Sequence, residues 1–128
     1  MDTKDPSPPT LVLSPPDGST LTTCSFDIVS MRVFDQAVSA GFAPADVTVK
    51  HEQHSGGYFF QQVPFISGGF VSGPGSDWDA TYGGTMTLSD VEVGDTFKVY
   101  GRVKDLAGNG WVYSSAYTYT YNGAADCP

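Results

Sequence analysis

An alternating segment near the C-terminal end, from Phe97 to Lys104, most constrains the fold of this chain. Apolar residues and glycine occupy one parity of the segment, and cationic residues and one tyrosine occupy the other. A strand directs successive side chains to opposite faces, so this pattern predicts a strand with one buried face and one cationic, solvated face. The run ends in Asp105-Leu106-Ala107-Gly108-Asn109, which favours a tight turn because Gly and Asn tolerate positive φ. The segment therefore predicts a half-buried antiparallel strand with a defined end.

The composition fits one β-rich domain and argues against two classes of partner. The 128 residues include 15 Gly, 9 Pro and 13% aromatic residues, which indicates turns and strands rather than disorder or helices. With 14 acidic and 6 basic residues the formal net charge is −8, and Lys and Arg are too sparse for phosphate contacts, so nucleic acid is not an expected partner. No apolar run approaches the roughly 20 residues of a membrane helix, so membrane insertion is not expected.

Short segments separated by turn residues predict about seven antiparallel strands. These strands cover residues 10–14, 26–34, 46–52, 58–66, 78–88, 97–104 and 112–121. Pro64 places the fourth of them at a sheet edge because proline has no N–H to donate, and residues 67–76 predict a loop or ragged edge. The absence of helical patterns predicts an all-β, immunoglobulin-like β-sandwich over residues 10–122, in preference to a barrel. Residues 1–9 form a proline-rich linker in this interpretation, and residues 123–128 form a C-terminal tail.

The parity of each strand predicts which side chains are buried. Val29, Met31 and Val33 share one parity of the second strand, and Val47 and Val49 are the buried candidates of the third. The last strand is expected to bury its tyrosines, because its other parity is small and polar. These tyrosines are Tyr113, Tyr117, Tyr119 and Tyr121. The alternative is that they face outwards as a flat aromatic strip.

The two cysteines are expected to form a disulfide that tethers the C-terminal tail. Cys24 precedes the second predicted strand and Cys127 follows the last, and these points meet at one pole of an immunoglobulin-like sandwich. Two free thiols, or bonds to a neighbouring module, remain the alternatives. The intramolecular bond would indicate an oxidising compartment.

Several short motifs together resemble those of bacterial Ig-like domains, which occur in tandem in secreted and cell-surface proteins. The motifs are Ser14-Pro15-Pro16-Asp17-Gly18, Val47-Thr48-Val49, Trp78-Asp79-Ala80-Thr81 with Leu88 before Gly94, and Lys104-Asp105-Leu106-Ala107-Gly108-Asn109. The resemblance spans residues 8–122. Residues 51–77 depart from it by being longer and richer in glycine and aromatic residues than the usual hairpin, and a cysteine pair is unusual in such modules.

This resemblance implies a secreted or cell-surface location and a structural spacer or adhesion role without chemistry. The implied partners are neighbouring modules of the same chain, and a glycan or a host or cell-surface protein. The module is expected to be monomeric. The sequence itself also favours a role without chemistry, because it has no nucleophile motif and no phosphate-binding glycine loop. An enzyme is therefore not expected.

Carbohydrate binding is the alternative function, and exposed aromatic residues would carry it. The candidates are Tyr58, Phe70 and Trp111, which lie in loops or at strand edges of the predicted fold. Loops on a rigid scaffold often carry binding residues, so residues 55–82 are where such a function would lie. Trp78, at the start of a strand, is expected in the core.

A calcium-stiffened linker is a weaker alternative. Its candidate oxygen ligands lie at strand ends and are Asp35, Asp77, Asp79, Asp105 and Asn109. Turn formation explains Asp105 and Asn109 more simply, because their side chains cap backbone groups. No other cofactor is expected. His51 and His54 do not have the spacing of a zinc protease motif and are interpreted as a solvated strand end.

Overall fold

The computed structural model describes residues 5–71 and 76–128, and this part of the chain contains strands and turns but no helix. Ten strand segments follow one another along the chain. They are β1 (Thr10–Ser14), β2 (Thr20–Leu21), β3 (Ser25–Asp35), β4 (Phe42–Glu52), β5 (Tyr58–Gln62), β6 (Phe65–Phe70), β7 (Trp78–Thr87), β8 (Thr96–Asp105), β9 (Val112–Tyr113) and β10 (Tyr117–Tyr121).

The strands form two sheets, which confirms the predicted all-β class. The smaller sheet has the order β1-β3-β7-β6, and the larger has the order β2-β10-β8-β4-β5 with β9 also paired to β8. All pairs are antiparallel except β2 with β10. The inward faces meet closely, because a Cβ added at Gly101 of β8 would lie 2.7 Å from Cε of Met31 on β3. Glycine at this position therefore makes room for a methionine from the opposite sheet.

The alternating segment forms β8 at the centre of the larger sheet, and its inward parity is buried as expected. Val99 and Val103 are fully buried, and so are Val47 and Val49 on the adjacent β4. The expectation for Val29 is wrong, because this side chain is 57% exposed. The pairing of β3 with β7 shifts register between Ile28 and Met31, so the parity that buries Met31 and Val33 does not extend back to Val29.

Two predicted strands are each divided in the structure, which raises the number of segments above seven. The chain leaves the larger sheet after Gln62 and joins the smaller one at Phe65, with Val63 and Pro64 at the crossing. Both β5 and β6 are edge strands, as Pro64 predicts. Residues 67–70 continue the edge strand β6 and pair with β7 after a register shift between Phe65 and Ser67, so they form an irregular edge, the second of the two predicted alternatives, and not a loop. Residues 72–75 of that loop lie outside the described residues.

The last predicted strand is interrupted between β9 and β10, and this changes the outcome for its tyrosines. Tyr119 and Tyr121 are buried as expected and Tyr117 is half-buried. Tyr113 is 42% exposed, so its predicted burial is wrong. Tyr113 pairs with Arg102, and Tyr117 pairs with Val99. Four residues along the segment from β9 to β10 therefore oppose three residues along β8. The extra residue reverses the parity of β9 relative to β10.

A disulfide joins Cys24 to Cys127, as the sequence predicts, with a Cα–Cα distance of 5.6 Å. The tail is also held by backbone hydrogen bonding between Cys127 and Val91. At the other end of the chain, Ser7 of the predicted linker donates to the carbonyl of Phe34, at the opposite pole of the sandwich. Residues 1–4 of that linker lie outside the described residues. The described residues contain no helix of a length and hydrophobicity that could cross a membrane.

Candidate functional site: a cation–aromatic face

The outer surface of the larger sheet collects aromatic and cationic side chains from four strands and one turn. Its cations are Lys50 of β4 and Arg102 and Lys104 of β8. Its aromatic rings are Tyr58 and Phe60 of β5, Tyr100 of β8, Trp111 before β9 and Tyr113 of β9. These eight residues define the cation–aromatic face. The face exists because antiparallel pairing places the outward parities of these strands side by side.

Arg102 lies at the centre of this face between two rings. Its guanidinium carbon is 3.8 Å from the centroid of Phe60 and 3.6 Å from that of Trp111. Its Nε donates a 3.1 Å hydrogen bond to Oγ1 of Thr48, the residue that pairs with Arg102 across the β4–β8 ladder. The stacking and this hydrogen bond fix the orientation of the guanidinium group, since its two faces are covered and one of its donors is engaged.

Lys50 contacts four aromatic rings of the same face. Its Nζ lies 3.6 Å from the ring centroid of Tyr58, 5.1 Å from Tyr100, 5.5 Å from Phe60 and 5.7 Å from Tyr113. The negative faces of the rings attract an ammonium group at such distances, each contributing roughly 0.5–1 kcal/mol at exposed sites. Lys50 is therefore held by rings rather than by a carboxylate.

The charges of the face are unusual for so acidic a chain. Among residues 5–71 and 76–128, Lys50, Lys98 and Arg102 have no carboxylate oxygen within 4.0 Å. Arg32 on the smaller sheet pairs with Asp79 at 2.7 Å, and Lys104, at the margin of the face, lies 4.0 Å from Asp46. The three cations without such a partner all belong to the outward parities of β4 and β8. The larger sheet thus presents a positive surface on a protein with a net charge of −8.

The structure brings together two of the three aromatic candidates for carbohydrate binding. Tyr58 and Trp111 both belong to the cation–aromatic face. Phe70 lies on β6 of the other sheet, where its ring packs edge-on against Trp78 with centroids 4.9 Å apart. Sequence reasoning identified the outward cations of β8, but it did not connect them with Lys50 and Phe60. The outward parity of β4 and β5 was the available signal, and only the strand order shows which of these residues become neighbours.

The calcium candidates lie around the pole where β3 and β8 end, and several of them make hydrogen bonds that stabilise the fold. Arg32 binds Asp79 through two hydrogen bonds and holds the pKa of that carboxyl below its usual value. Asp77 accepts a hydrogen bond from the backbone N–H of Ala37. Nδ2 of Asn109 donates to Asp105 at 3.0 Å, in agreement with a turn-forming role. Asp35 is fully buried and accepts a hydrogen bond from the Ser39 hydroxyl.

No group of three or more His, Cys, Asp or Glu side chains among the described residues is arranged to hold a metal ion. Calcium binding at Asp35, Asp77, Asp79, Asp105 and Asn109 stays the weaker alternative. The interpretation of the histidine segment as a solvated strand end is wrong for His51, which is 1% exposed. His51 continues the inward parity of β4, where it packs between the rings of Phe59 and Phe97, with centroids 5.2 and 6.2 Å away.

Comparison with known proteins adds no functional assignment. No protein-family model matches this chain, and no curated protein matches it. Function is therefore inferred from the geometry and charge of the cation–aromatic face.

Proposed function

We propose that the chain is a non-enzymatic immunoglobulin-like module of a larger secreted or cell-surface protein. Its role is adhesion, and the cation–aromatic face is its contact surface. The strand order supports this proposal. The order β1-β3-β7-β6 corresponds to strands A, B, E and D of immunoglobulin domains. In the larger sheet, β4 and β8 correspond to C and F, and β10 and β9, which both pair with β8, correspond to G. The Cys24–Cys127 disulfide agrees with an oxidising, extracellular location.

The observation that carries the adhesive role is the set of cations on the outer face that lack a carboxylate partner. In a chain with 14 carboxylate side chains and 6 basic ones, such cations are expected to find acidic neighbours. Lys50 and Arg102 instead lie among aromatic rings, and Tyr58, Phe60 and Tyr113 are each more than 40% exposed. Aromatic and arginine side chains are the residue types enriched at binding surfaces. A simple spacer requires no such surface.

Carbohydrate binding is the second candidate function, and one observation favours it. Tyr58 and Trp111, which are distant in the sequence, lie on the same outer surface of the larger sheet with Lys50 and Arg102 beside them. Aromatic rings next to hydrogen-bond donors suit sugars, which are both apolar and rich in hydroxyl groups. This candidate is compatible with adhesion, since a surface glycan can be the adhesive ligand.

Binding to an immobilised panel of fibronectin, collagen, mucin and a glycan array tests the adhesive role. We expect the chain to bind at least one member, and we expect the Arg102→Ala/Trp111→Ala variant to lose that binding. Arg32→Ala is the matched control, because Arg32 is a cation near an aromatic ring, Phe34, but lies on the opposite sheet. Phe65→Ala controls for the loss of an exposed ring, since Phe65 on β6 is 55% exposed.

Two outcomes would contradict this proposal, the first by its contact surface and the second by its adhesive role. Binding that survives the double variant but is lost on Arg32→Ala would move the contact surface to the smaller sheet. Absence of binding to every member of the panel would leave the chain as a structural spacer. Circular dichroism of each variant ensures that lost binding reflects the face and not unfolding.

A further inference from the structure

We propose that the cation–aromatic face binds an acidic polysaccharide, a sugar polymer that carries carboxylate or sulfate groups. Arg102 and Lys50 are the residues that bind its anionic groups. This inference rests on the proposed adhesive function, because it names the ligand class of the same surface. An acidic polysaccharide is compatible with both adhesion and carbohydrate binding, since it is a glycan and its recognition depends on charge.

The Arg102 guanidinium keeps a pair of N–H groups that no described residue engages. Phe60 and Trp111 cover its two faces, so any further hydrogen bond forms in the guanidinium plane. Nε is engaged by Thr48, whereas Nη1 and Nη2 have no hydrogen-bond partner in the described part of the chain. A planar pair of N–H donors matches the two oxygens of a carboxylate or sulfate group, and the resulting bonds are charge-assisted. The rings hold this donor pair in place before a ligand arrives, which lowers the entropy cost of binding.

Lys50 and Arg102 occupy diagonal positions on the same face of the sheet. Lys50 pairs with Tyr100 across the β4–β8 ladder, and Arg102 lies two residues further along β8 on the same face. Such diagonal positions are about 7–8 Å apart in a sheet. The ammonium group of Lys50 has rings around it but no acceptor within the described residues. Two separated cations on one flat surface fit a polymer whose anionic groups are spaced along the chain.

Three of the rings on this face carry a polar hydroxyl group. The hydroxyl groups of Tyr58, Tyr100 and Tyr113 make no hydrogen bond within the described residues, so each can donate to and accept from a ligand. Rings that combine apolar area with a hydroxyl group suit a ligand that is rich in hydroxyls. The face therefore offers cations, apolar area and hydroxyl groups within one surface.

Other polyanions fit this surface less well. An acidic peptide that adds a strand to this sheet would pair with the edge strand β5, which carries no cation, because β4 and β8 are interior strands whose backbone groups are engaged in the ladder. Single-stranded nucleic acid binds along a basic groove that follows its phosphate backbone, whereas this face supplies three cations, Lys50, Arg102 and Lys104, on the surface of a sheet.

Calorimetric titration at low salt tests the inference with heparin, polygalacturonate and, as the uncharged control, dextran. We expect binding to at least one of the two acidic polymers, loss of affinity on addition of salt, and no binding to dextran. Arg102→Ala is expected to weaken binding by about tenfold or more, since a hydrogen bond to a charged group contributes roughly 1.5–3 kcal/mol. Arg102→Lys keeps the charge but loses the donor pair, so an intermediate loss is expected. Arg32→Ala should leave affinity unchanged.

Tyr113→Phe provides a second variant that retains the ring and is not expected to affect folding. It should weaken the binding of an acidic polysaccharide, because the hydroxyl is lost while the charge is unchanged. Unchanged affinity of this variant together with full binding by Arg102→Lys would reduce the interaction to non-specific charge attraction and overturn the inference.

The remaining outcomes separate this inference from the adhesive function. Tighter binding to poly-glutamate or to single-stranded DNA than to both polysaccharides overturns the ligand class but leaves the face as a binding surface. Binding to dextran equal to that of the acidic polymers also overturns it. Absence of polysaccharide binding, with face-dependent binding to fibronectin or collagen, would mean that the inference fails and the proposed function stands. Insensitivity of all binding to Arg102→Ala would contradict both.

Discussion

The guanidinium carbon of Arg102 lies 3.6 Å from the ring centroid of Trp111, nine residues later in the chain. This contact joins a residue of β8 to the residue that precedes β9, so it connects the two sides of the turn between these strands. The same guanidinium group contacts Phe60 from the opposite edge of the face. Arg102 therefore links β5, β8 and β9 on the outside of the larger sheet, and it should contribute to stability as well as to binding.

Arg102→Ala is expected to lower the free energy of unfolding by about 1–2 kcal/mol, because two cation–π contacts of roughly 0.5–1 kcal/mol each are removed. Arg102→Lys should cost less, since an ammonium group retains part of the attraction. Urea denaturation measures both changes. The matched control is Lys98→Ala on the same face of β8, where no ring contact is lost and a change below about 0.5 kcal/mol is expected. Equal effects of Arg102→Ala and Lys98→Ala would contradict a stabilising role for the stack.

Gly101→Ala should destabilise the sandwich by crowding the opposite sheet. The new Cβ would lie 2.7 Å from Cε and 3.0 Å from Sδ of Met31, which is fully buried. Overpacking costs about 1–3 kcal/mol, and the flexibility of methionine favours the lower part of that range. In a Met31→Ala background the same substitution should cost less, because the methionine atoms are gone. A double-mutant cycle measures this coupling, and an identical cost in both backgrounds would show that the two residues do not share this space.

Reduction of the Cys24–Cys127 disulfide should lower stability substantially. The bond spans 103 residues, for which loop-closure entropy gives a stabilisation of about 4–5 kcal/mol as an upper expectation. The Cys24→Ser/Cys127→Ser variant should melt at the same temperature as the reduced protein. Addition of reductant to that variant serves as the control and should change nothing. A native protein whose melting temperature is insensitive to reductant would contradict the expectation.

The two histidines are expected to titrate on opposite sides of the ordinary pKa of 6.5. Burial lowers the pKa of His51, although hydrogen bonding to Ser89 opposes the shift. The hydrogen bond to Asp95, together with the charge of Glu92, raises the pKa of His54. NMR titration measures both values, and His54→Gln assigns the two resonances because the chain has only 2 histidines.

These shifts act on stability with opposite signs. The contribution of His51 is present above the unfolded-state pKa and is lost as the pH falls through the folded-state pKa. The contribution of His54 is present below the unfolded-state pKa and is lost as the pH rises through its raised folded-state pKa. The His54→Gln variant lacks the stabilisation that protonated His54 provides at low pH. Its unfolding free energy should therefore fall on acidification from neutral pH, because only the loss from His51 remains. If the unfolding free energy of His54→Gln rises on acidification, the sign assigned to the contribution of His51 is wrong.

Calcium is expected to have no effect on thermal unfolding. Asp79 is engaged by Arg32, Asp77 by the backbone of Ala37 and Asp105 by Asn109, so these carboxylates already have structural roles, and no group of three or more His, Cys, Asp or Glu among the described residues is arranged to hold a metal ion. Melting curves recorded with EDTA and with millimolar Ca²⁺ should coincide. An increase in melting temperature with Ca²⁺ that Asp77→Asn abolishes would instead support the calcium-stiffened linker.

Local patterns predicted most of the strands but failed where the register changes. The inward residues of β8 and β4 were identified correctly, because uninterrupted strands obey strict alternation. Val29 and Tyr113 were assigned to the wrong face, since each lies beside an irregularity that shifts the pairing with a neighbouring strand. Such a shift reverses the parity of all residues beyond it, and it depends on the partner strand as much as on the local sequence.

Sequence alone determined that β8 has an apolar face and a cationic face, because side-chain alternation is a local property of the backbone. It also indicated the end of β8 and the disulfide between Cys24, just before β3, and Cys127 in the C-terminal tail. Tertiary structure decided that Arg102 lies between Phe60 and Trp111 and that Lys50 lies among four rings. Phe60 and Arg102 are 42 residues apart in the chain, and they meet only because β5, β4 and β8 are neighbours in one sheet. The candidate site is thus a product of strand order, which no local pattern of residues specifies.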